Sequence, residues 1–519
     1  MRYLVSGRRA AEIDRYTIDE IGVPQLVLME RAALAVAEKT ASLIREPERE
    51  RILVVAESGN NGGDGVAAAR ILHQRGYRVE VRALNGISRQ TDAYRKQVEL
   101  AKKAGVPFAD DLPGAEGEAG SYRVIVDAIF GVGLTRDVTG VQAEAVTWMN
   151  RRKEEGACIL AVDIPSGISS ETGEILGTAV RADHTVTFGY EKIGMRFAKE
   201  QCGAVTVAEI GFYLPQKSAS DTEGIYYTYD PADVSRLLPT RSAGGNKGSF
   251  GHVLVVAGSE DIGGASYLAA AAAYRTGCGL VKVITHENNR GMLQQLLPEA
   301  ILQTYGGTGD EGEEDLPAKK ELGWADVIVL GPGLGQSETA LRMTGRILRE
   351  ADCPVIADAD AINLLAEHTE ILTETAGRRP LILTPHMLEM TRLVERSGHP
   401  SGERLEELKR DRIRISEETA GRYGATIVLK DACTFVTDGS DGYLNSSGND
   451  AMAKGGSGDV LTGVIAGLIA QGTDPSGAAR LGVYIHGLAG DAARERLGAY
   501  SVIAGDLLDA IPDAMRIKS

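Results

Sequence analysis

Three carboxylates in this chain stand where an apolar run meets glycine. Asp127 opens "DAIFGVG", Asp163 opens "DIPSG", and Asp459 closes "GGSGD" within "GNDAMAKGGSGDVLTG", Gly448 to Gly463. Glycine lets the main chain approach a ligand closely. The first turn of a helix leaves N–H groups unpaired and attracts anions. An acid at such a place is either a proton acceptor or a helix cap. A further run, "VVAESGNNGGDGVAAARIL", sets Asn60, Asn61, Gly62, Gly63 and Asp64 between an apolar strand and an amphipathic helix. It carries neither the Walker lysine nor the Rossmann glycine spacing. It reads as a ligand-binding loop or as a tight turn whose Asn and Asp tolerate left-handed geometry.

A second set of polar residues follows apolar runs in the other half of the chain. "VIVLGPGLG" brings Gly333, "VIADADAIN" brings Asp358, Asp360 and Asn363, and "LILTPHMLEMTRL" brings His386 and Glu389. "IVLKDACTFVTDG" adds Lys430 and Thr434, with Asn445 and Asn449 after it. A lone histidine after a strand is ordinarily a turn residue, and a lone lysine a surface charge. Their succession toward "GGSGD" is what points to a site.

The elements that position these residues are short β-branched runs alternating with helical patterns. "RILVVAESG", "YRVEVRAL", "YRVIVDAIFG" and "ACILAVDIPSG" are the strands of the first half. "GHVLVVAGS", "GLVKVIT", "ADVIVLGPGLG", "CPVIADADA", "PLILTPH" and "ATIVLKDA" restart the pattern in the second. Such alternation predicts β-α-β units on mostly parallel sheets, an α/β fold. Ligands of these sheets bind at the carboxyl ends of the strands, where every motif above is placed. The polar run "QKSASDTEG" suggests a boundary near 215–225, dividing the chain into domains 1–218 and 225–519. The stretch "YGGTGDEGEEDLPAKKELG" reads as a solvated loop, and "SGHPSGERLEELKRDR" as a loop followed by an exposed helix.

The 519 residues are 43% hydrophobic and 25% charged, with 63 glycines, a composition suited to several cores and many tight turns. A net charge of −16 argues against nucleic acid and anionic membranes as partners. Five scattered cysteines without a Cys-x-x-Cys pair argue against a disulfide framework or structural zinc. With a charged start and no long apolar run, the expected setting is the cytoplasm.

In this order and spacing, "GNNGGDG", "DAIFGVG" and "DIPSG" resemble the epimerase domain of the NAD(P)H-hydrate repair enzymes. The second half, including "YIHGLAGDAA" and "SVIAGDLLDAI", resembles their ADP- or ATP-dependent dehydratase. The resemblance implies a Rossmann-like three-layer N-terminal domain and a ribokinase-like C-terminal one. By it, Asn60 to Asp64 and the loop of Gly131, Val132, Gly133, Leu134, Thr135, Arg136 and Asp137 bind the hydrated nucleotide. Asn61, Asp127 and Ser166 hold potassium, an oxygen-only set that suits a large monovalent cation. Asp163 is the acid–base group of the epimerase.

In the second domain the resemblance puts Ala265, Gly333, His386 and Asp459 around the hydrated nicotinamide. It assigns the adenine nucleotide, with Mg²⁺, to two segments. One is Lys430, Asp431, Ala432, Cys433 and Thr434. The other is the loop from Asn449 through Gly455, Gly456, Ser457 and Gly458. Relatives also imply a tetramer-based homo-oligomer. Phosphorylating the hydroxyl of the hydrate makes it a better leaving group than hydroxide. Amides of Gly455 to Gly458 would stabilise the transferring phosphoryl group, and Asp459, kept ionised by the helix end, would accept the hydroxyl proton.

The chain departs from the family pattern at Asn246-Lys247-Gly248, usually His-Lys-Gly, and at Met387-Leu388-Glu389, usually Pro-Gly-Glu. It departs again at Asn449 to Lys454, where Lys454 would offset the charge of Asp450. Two rival readings are a ribokinase-like small-molecule kinase fused to a nucleotide-binding domain and a non-catalytic nucleotide sensor.

Overall fold

The computed structural model describes residues 1–84, 90–109, 112, 122–214, 223–306, 317–396 and 405–516. Most of the expected boundary segment (215–222), of the acidic stretch (307–316) and of the loop at 397–404 lies outside the described residues. The chain forms two compact units: Tyr3–Tyr226, and Tyr227–Ser519 with Met1–Arg2.

The first unit opens with helix α1 (Gly7–Asp19) and is built on a parallel sheet. Its labelled elements are β1 (Arg51–Ala56), α2 (Asn60–Gln74), β2 (Arg78–Ala83), β3 (Tyr122–Ala128), β4 (Cys158–Val162), β5 (His184–Phe188) and β6 (Ala204–Ala208). In space the strands run Phe108–Ala109, β2, β1, β3, β4, β5, β6, each pair parallel. Alternate residues of β1 enter two separate cores: Ile52, Val54 and Ala56 pack into one, Leu53 and Val55 into the other. A sheet buried on both faces reads as a continuous apolar run, and that is why "RILVVA" lacks polar alternation. This is a three-layer α/β unit.

The second unit repeats the plan with β7 (His252–Val256), α3 (Gly263–Thr276), β8 (Leu280–His286), β9 (Ile301–Tyr305), β10 (Val327–Leu330), β11 (Val355–Ala357), β12 (Leu381–Leu383), α4 (Met387–Arg396), β13 (Thr426–Leu429), α5 (Ser457–Ala470) and α6 (Pro475–Leu497). The order is β9, β8, β7, β10, β11, β12, β13, all parallel, followed by the antiparallel strands Phe435–Thr437 and Gly442–Leu444. Val253 and Val255 face one core, Leu254 and Val256 the other.

All ten runs expected as strands are strands. In each sheet the strand order reverses beside the first central strand, between β1 and β3 and between β7 and β10. Such switch points open a crevice at the carboxyl edge.

Small residues set how closely α5 approaches α3. A Cβ at Gly463 would lie 2.1 Å from the Ala269 carbonyl oxygen, and one at Gly467 would lie 2.7 Å from Thr276 Cβ. The alanine-rich run "YLAAAAAYRT" is the matching surface on α3. This close contact anchors the N-terminus of α5 at the sheet edge. Among the described residues no helix is long and apolar enough to cross a membrane, and all five cysteines are free.

Candidate active sites

In the first unit, a cavity of about 810 Å³ opens at the carboxyl edge of β1, β3 and β4. Its wall includes Asn60, Asn61 and Asp64 from α2, Gly131 to Arg136 from the loop after β3, and Asp163 after β4. The separate motifs therefore meet. Asp137 is outside the lining.

Asn60 to Asp64 are not a loop but the first turns of α2. None of them has positive φ, which removes the left-handed-turn reading. Their glycines serve packing. A Cβ at Gly62 would sit 1.7 Å from the Glu57 carbonyl oxygen, and one at Gly63 2.9 Å from the Met29 methyl. Gly62→Ala is therefore expected to destabilise the first unit by about 1–3 kcal/mol or more, since backbone cannot yield as a side chain does. Calorimetry on the purified variant checks this; an unchanged transition contradicts the packing.

Asp163 occupies a left-handed position, φ +66°, one of two such non-glycine residues among those described. Backbone strain of this kind persists where surroundings impose it. Here the surroundings are three donors to one carboxylate oxygen: Phe188 N at 3.1 Å, Thr187 Oγ1 at 3.2 Å and the Lys192 ammonium at 2.5 Å. Lys192 is itself buried, and its Nζ also donates to Thr187 Oγ1 at 2.9 Å. Sequence reasoning missed Lys192, and it missed Asp14 of α1, which shares the cavity wall. Burial, with Asp163 and Asp14 close by, holds the Asp64 carboxyl well above the usual range. Burial and then Asp163 raise Asp14 as well.

Behind the Gly131 loop, Asp127 is fully buried. Ser166 Oγ donates to its Oδ1 at 2.6 Å and Ser166 N to its Oδ2 at 2.8 Å, while Phe130 N donates to Ser166 Oγ at 2.9 Å. Burial pushes the Asp127 carboxyl up to about 6 against those hydrogen bonds. Asn61 Oδ1 approaches the Gly131 backbone, and its Nδ2 is buried without a partner. Turning that amide over would present an oxygen in the same place. A buried carboxylate with no cationic partner among the described residues, and an unsatisfied amide on the neighbouring helix start, fit a cation held by oxygens. Among the described residues no cluster of three or more His, Cys, Asp or Glu could hold a metal.

In the second unit the residues also converge. A Cβ at Gly333 (φ +58°) would lie 3.0 Å from Ala265 Cβ, so the loop after β10 lies on the start of α3. Lys430 follows β13, where its N donates to the Pro385 carbonyl at 2.8 Å and its Nζ to Asp358 Oδ1 at 2.6 Å. Thr384 Oγ1 donates to the same oxygen at 2.7 Å. A Cβ at Gly458 would lie 3.4 Å from Lys430 Nζ and 3.5 Å from Asp358 Oδ2. The start of α5 therefore lies against this pair at ordinary contact distance. Asp358 is thus the centre of the charge cluster, a role its sequence position did not show. Ala359 beside it has φ +49°, and Asp360 Oδ2 accepts from Gly335 N at 2.9 Å.

Asp459 lies in the first turn of α5, whose N-cap is Gly456, with φ +90° and no side-chain cap bond. The capping alternative for Asp459 is not realised. Nor does the helix end keep its pKa low. Burial, and then the Asp358 charge, raise it to about 6. That places a carboxylate base near neutral pH, where general bases are most effective.

Other assigned residues have structural duties. His386 Nδ1 accepts from Leu388 N at 3.1 Å and Glu389 N at 3.2 Å, and Glu389 Oε2 accepts from His386 N at 2.8 Å. This reciprocal cap starts α4 without the usual Pro-Gly. Burial and Lys430 lower the His386 pKa, favouring neutral imidazole. Asn246 likewise caps a short turn, accepting from Gly248 N at 2.9 Å. Asn449 Nδ2 donates to Asp491 Oδ1 at 2.8 Å, pinning its loop to α6. Asp450 pairs with Arg494 of α6 rather than with Lys454, so the expected charge compensation is corrected. Asp431 pairs with Arg412 and Ala432 is exposed, whereas Cys433 turns inward and donates to the Asn445 carbonyl. The Cys433 side chain cannot meet a nucleotide. Behind α5, Ser457 Oγ lies 3.4 Å from Nε2 of buried His486, whose pKa burial lowers to about 4. The motif "YIHGLAGD" had carried no role for it.

With both sites in place, the likeness to known proteins has residues to attach to. Residues 253–513 match the family model described as NAD(P)H-hydrate dehydratase, and residues 25–194 match that of the YjeF-related protein N-terminus. The chain is 36% identical over 528 aligned residues to the bifunctional NAD(P)H-hydrate repair enzyme Nnr of Moorella thermoacetica, covering 99% of this chain and 97% of that one. It is 37% identical to the same-named enzyme of Thermofilum pendens, covering 97% and 94%. A solved ADP/ATP-dependent NAD(P)H-hydrate dehydratase from Bacillus subtilis, co-crystallized with ATP/Mg²⁺, shares 33% identity, with a TM-score of 0.47, covering 56% of this chain and 97% of that chain.

Proposed function

This chain belongs to the family of bifunctional NAD(P)H-hydrate repair enzymes, and from that premise we propose how its two sites divide the repair. One chain carries an isomerase, the NAD(P)H-hydrate epimerase, and a lyase, the ADP- or ATP-dependent dehydratase of ribokinase-like fold. The first unit interconverts the R and S hydrates, and the second returns the S form to NADH or NADPH.

The observation that carries the reading of the second unit is the placement of Asp459. It is an uncapped carboxylate on the first turn of a glycine-led helix, raised to about 6, beside Lys430 and Asp358. The glycine amides of Gly455, Gly456 and Gly458 would face charge arriving at that helix end. They would steady the transferring phosphoryl group while Asp459 takes the hydroxyl proton. Lys430, half-buried and paired with Asp358, adds a positive charge on the same side. With no cluster of metal-ligating side chains among the described residues, magnesium would travel with the nucleotide phosphates.

The first unit works through Asp163, which is paired with the Lys192 ammonium in the cavity wall. Potassium held by Asn61, Asp127 and Ser166 would supply one positive charge behind the Gly131 loop. Asp127 and Ser166 fix that loop against the floor through the Phe130 amide. A tetramer-based homo-oligomer belongs to the same reading and rests on the resemblance alone.

Asp127→Ala is expected to lower epimerisation at least about tenfold, and replacing potassium by lithium should do the same to the unmodified enzyme. Interconversion of the epimers, followed by chromatography, is the assay. A variant fully active without potassium would overturn the ion assignment. A stable phosphorylated product from an added alcohol, without recovery of NADH, would instead favour the small-molecule kinase reading.

A further inference from the structure

Among the ionisable side chains lining the epimerase cavity are Asp14 from α1, Asp64 from α2, Asp163 after β4, and Lys192 from the two-residue strand Glu191–Lys192, beside Arg15, Asp19, Glu57 and Arg136. Their partners differ sharply. Asp163 Oδ1 accepts from an ammonium, a hydroxyl and a backbone amide. Among the described residues, no donor or cation pairs with the carboxyl of Asp64. Its charged neighbours are the acids Asp14 and Asp163. One carboxyl thus sits among donors and the other among acids.

We propose that Asp64 is the catalytic acid of the epimerase site and Asp163 the base, and that together they epimerise the hydrate by removing water and returning it to the opposite face. The inference rests on the epimerase reading of this unit and adds the proton donor that the reading lacked. Two carboxyls in one cavity wall with contrasting surroundings, one among donors and one among acids, are the usual mark of an acid–base pair. The raised pKa of Asp64, caused first by burial, agrees with that geometry.

The step balances. The Asp64 proton passes to the hydroxyl on the hemiaminal carbon, and the C–O bond breaks with its electron pair leaving on water. The ring nitrogen lone pair forms the C=N bond of a cyclic iminium. A water then attacks that carbon from the other face as the C=N pair returns to nitrogen, and Asp163 takes the proton the water sheds. A proton relayed from Asp163 back to Asp64 through water resets the site, so no proton is gained or lost overall. The reverse epimerisation runs the same steps with the two carboxyls exchanged. Lys192 is a positioning residue here, holding Asp163 in its left-handed conformation.

The test uses the full-length enzyme with purified R hydrate of NADPH, in water enriched in oxygen-18. The unmodified enzyme should incorporate one solvent oxygen for each epimerisation above the uncatalysed rate. Asp64→Asn should lower kcat for epimerisation about 10²–10⁴-fold, with KM and the titrated Kd for the hydrate changed less than about threefold. Asp64→Glu, which keeps a donor, should recover at least about tenfold over Asp64→Asn. Epimerisation by the unmodified enzyme without oxygen exchange would overturn the water-loss chemistry while leaving the epimerase reading standing. Near-normal kcat in Asp64→Asn, or loss of hydrate binding in step with loss of turnover, would overturn the acid role. An unmodified enzyme with no epimerase activity would remove the underlying reading itself.

Discussion

A chain with Asp459→Asn is expected to dehydrate the S hydrate about 10²–10⁴-fold more slowly in kcat, the usual cost of losing a general base. Its epimerase activity should be unchanged, because the site proposed for that chemistry, with Asp163, lies in the other unit. Asparagine keeps the shape of the side chain and removes only its ability to take a proton. Since Gly456 caps α5 and Asp459 makes no cap bond, the substitution costs the helix nothing.

The raised pKa gives two further signs to check. Activity of the unmodified dehydratase should rise with pH as Asp459 ionises around about 6. Stability should move the other way. The native state holds the Asp459 proton up to a higher pH than the unfolded chain does, so this group's contribution is full at low pH. It is lost as pH rises from the ordinary carboxyl range through about 6. Asn mimics the neutral form, so Asp459→Asn should be at least as heat-stable as the unmodified protein at pH 7. A variant that dehydrates normally, or that unfolds far earlier, would contradict the assignment.

The second large effect is expected from Asp163→Asn. Asparagine tolerates the left-handed backbone at this position, so the local turn survives. Proton acceptance does not, and epimerisation should fall by about 10²–10⁴-fold. The substitution also leaves the Lys192 ammonium buried without its counter-charge. Breaking a buried pair from one side typically costs about 3–5 kcal/mol. Calorimetry should therefore show an earlier transition for the first unit, which Lys192→Met in the same chain should partly restore. Dehydration of purified S hydrate should be untouched. An Asp163→Asn enzyme that epimerises at the normal rate would leave Asp163 with a structural role alone.

Much of this was legible before any coordinates. An apolar run ending in an acid and glycines is a physical instruction: the strand must be buried on both faces, and the acid must emerge at its carboxyl end. Asp127, Asp163 and Lys430 were placed by that rule, and Ala265 and Gly333 meet because β7 and β10 flank a switch point. What the sequence concealed was partnership. Lys192 and Asp163 are neighbours only through the fold, and a lysine in "GYEKIG" looks like any surface charge. Asn60 to Asp64 read as a ligand-binding loop or a tight turn because Asn and Asp tolerate left-handed geometry, whereas they open a helix in which Gly62 passes close to the carbonyl of Glu57. Asp459 looked like a residue favoured by the helix dipole, yet burial, and then the carboxylate of Asp358, which no local pattern links to it, raise its pKa. Asp450 found Arg494 on α6, and its apparent compensation by Lys454 was an accident of sequence proximity.

The account stands on two independent sites acting in series, and one progress curve tests it most directly. Mixed R and S hydrate of NADH is supplied with ADP or ATP, and recovery of the reduced-nicotinamide absorbance is followed. The unmodified enzyme should convert the whole mixture in one sweep. Asp163→Asn should recover the S fraction quickly and then creep at the spontaneous rate of epimerisation, and Asp459→Asn should recover almost nothing although its epimers interconvert. Complete, rapid recovery by either variant, or a single defect abolishing both activities, would contradict the division of labour proposed for the two units.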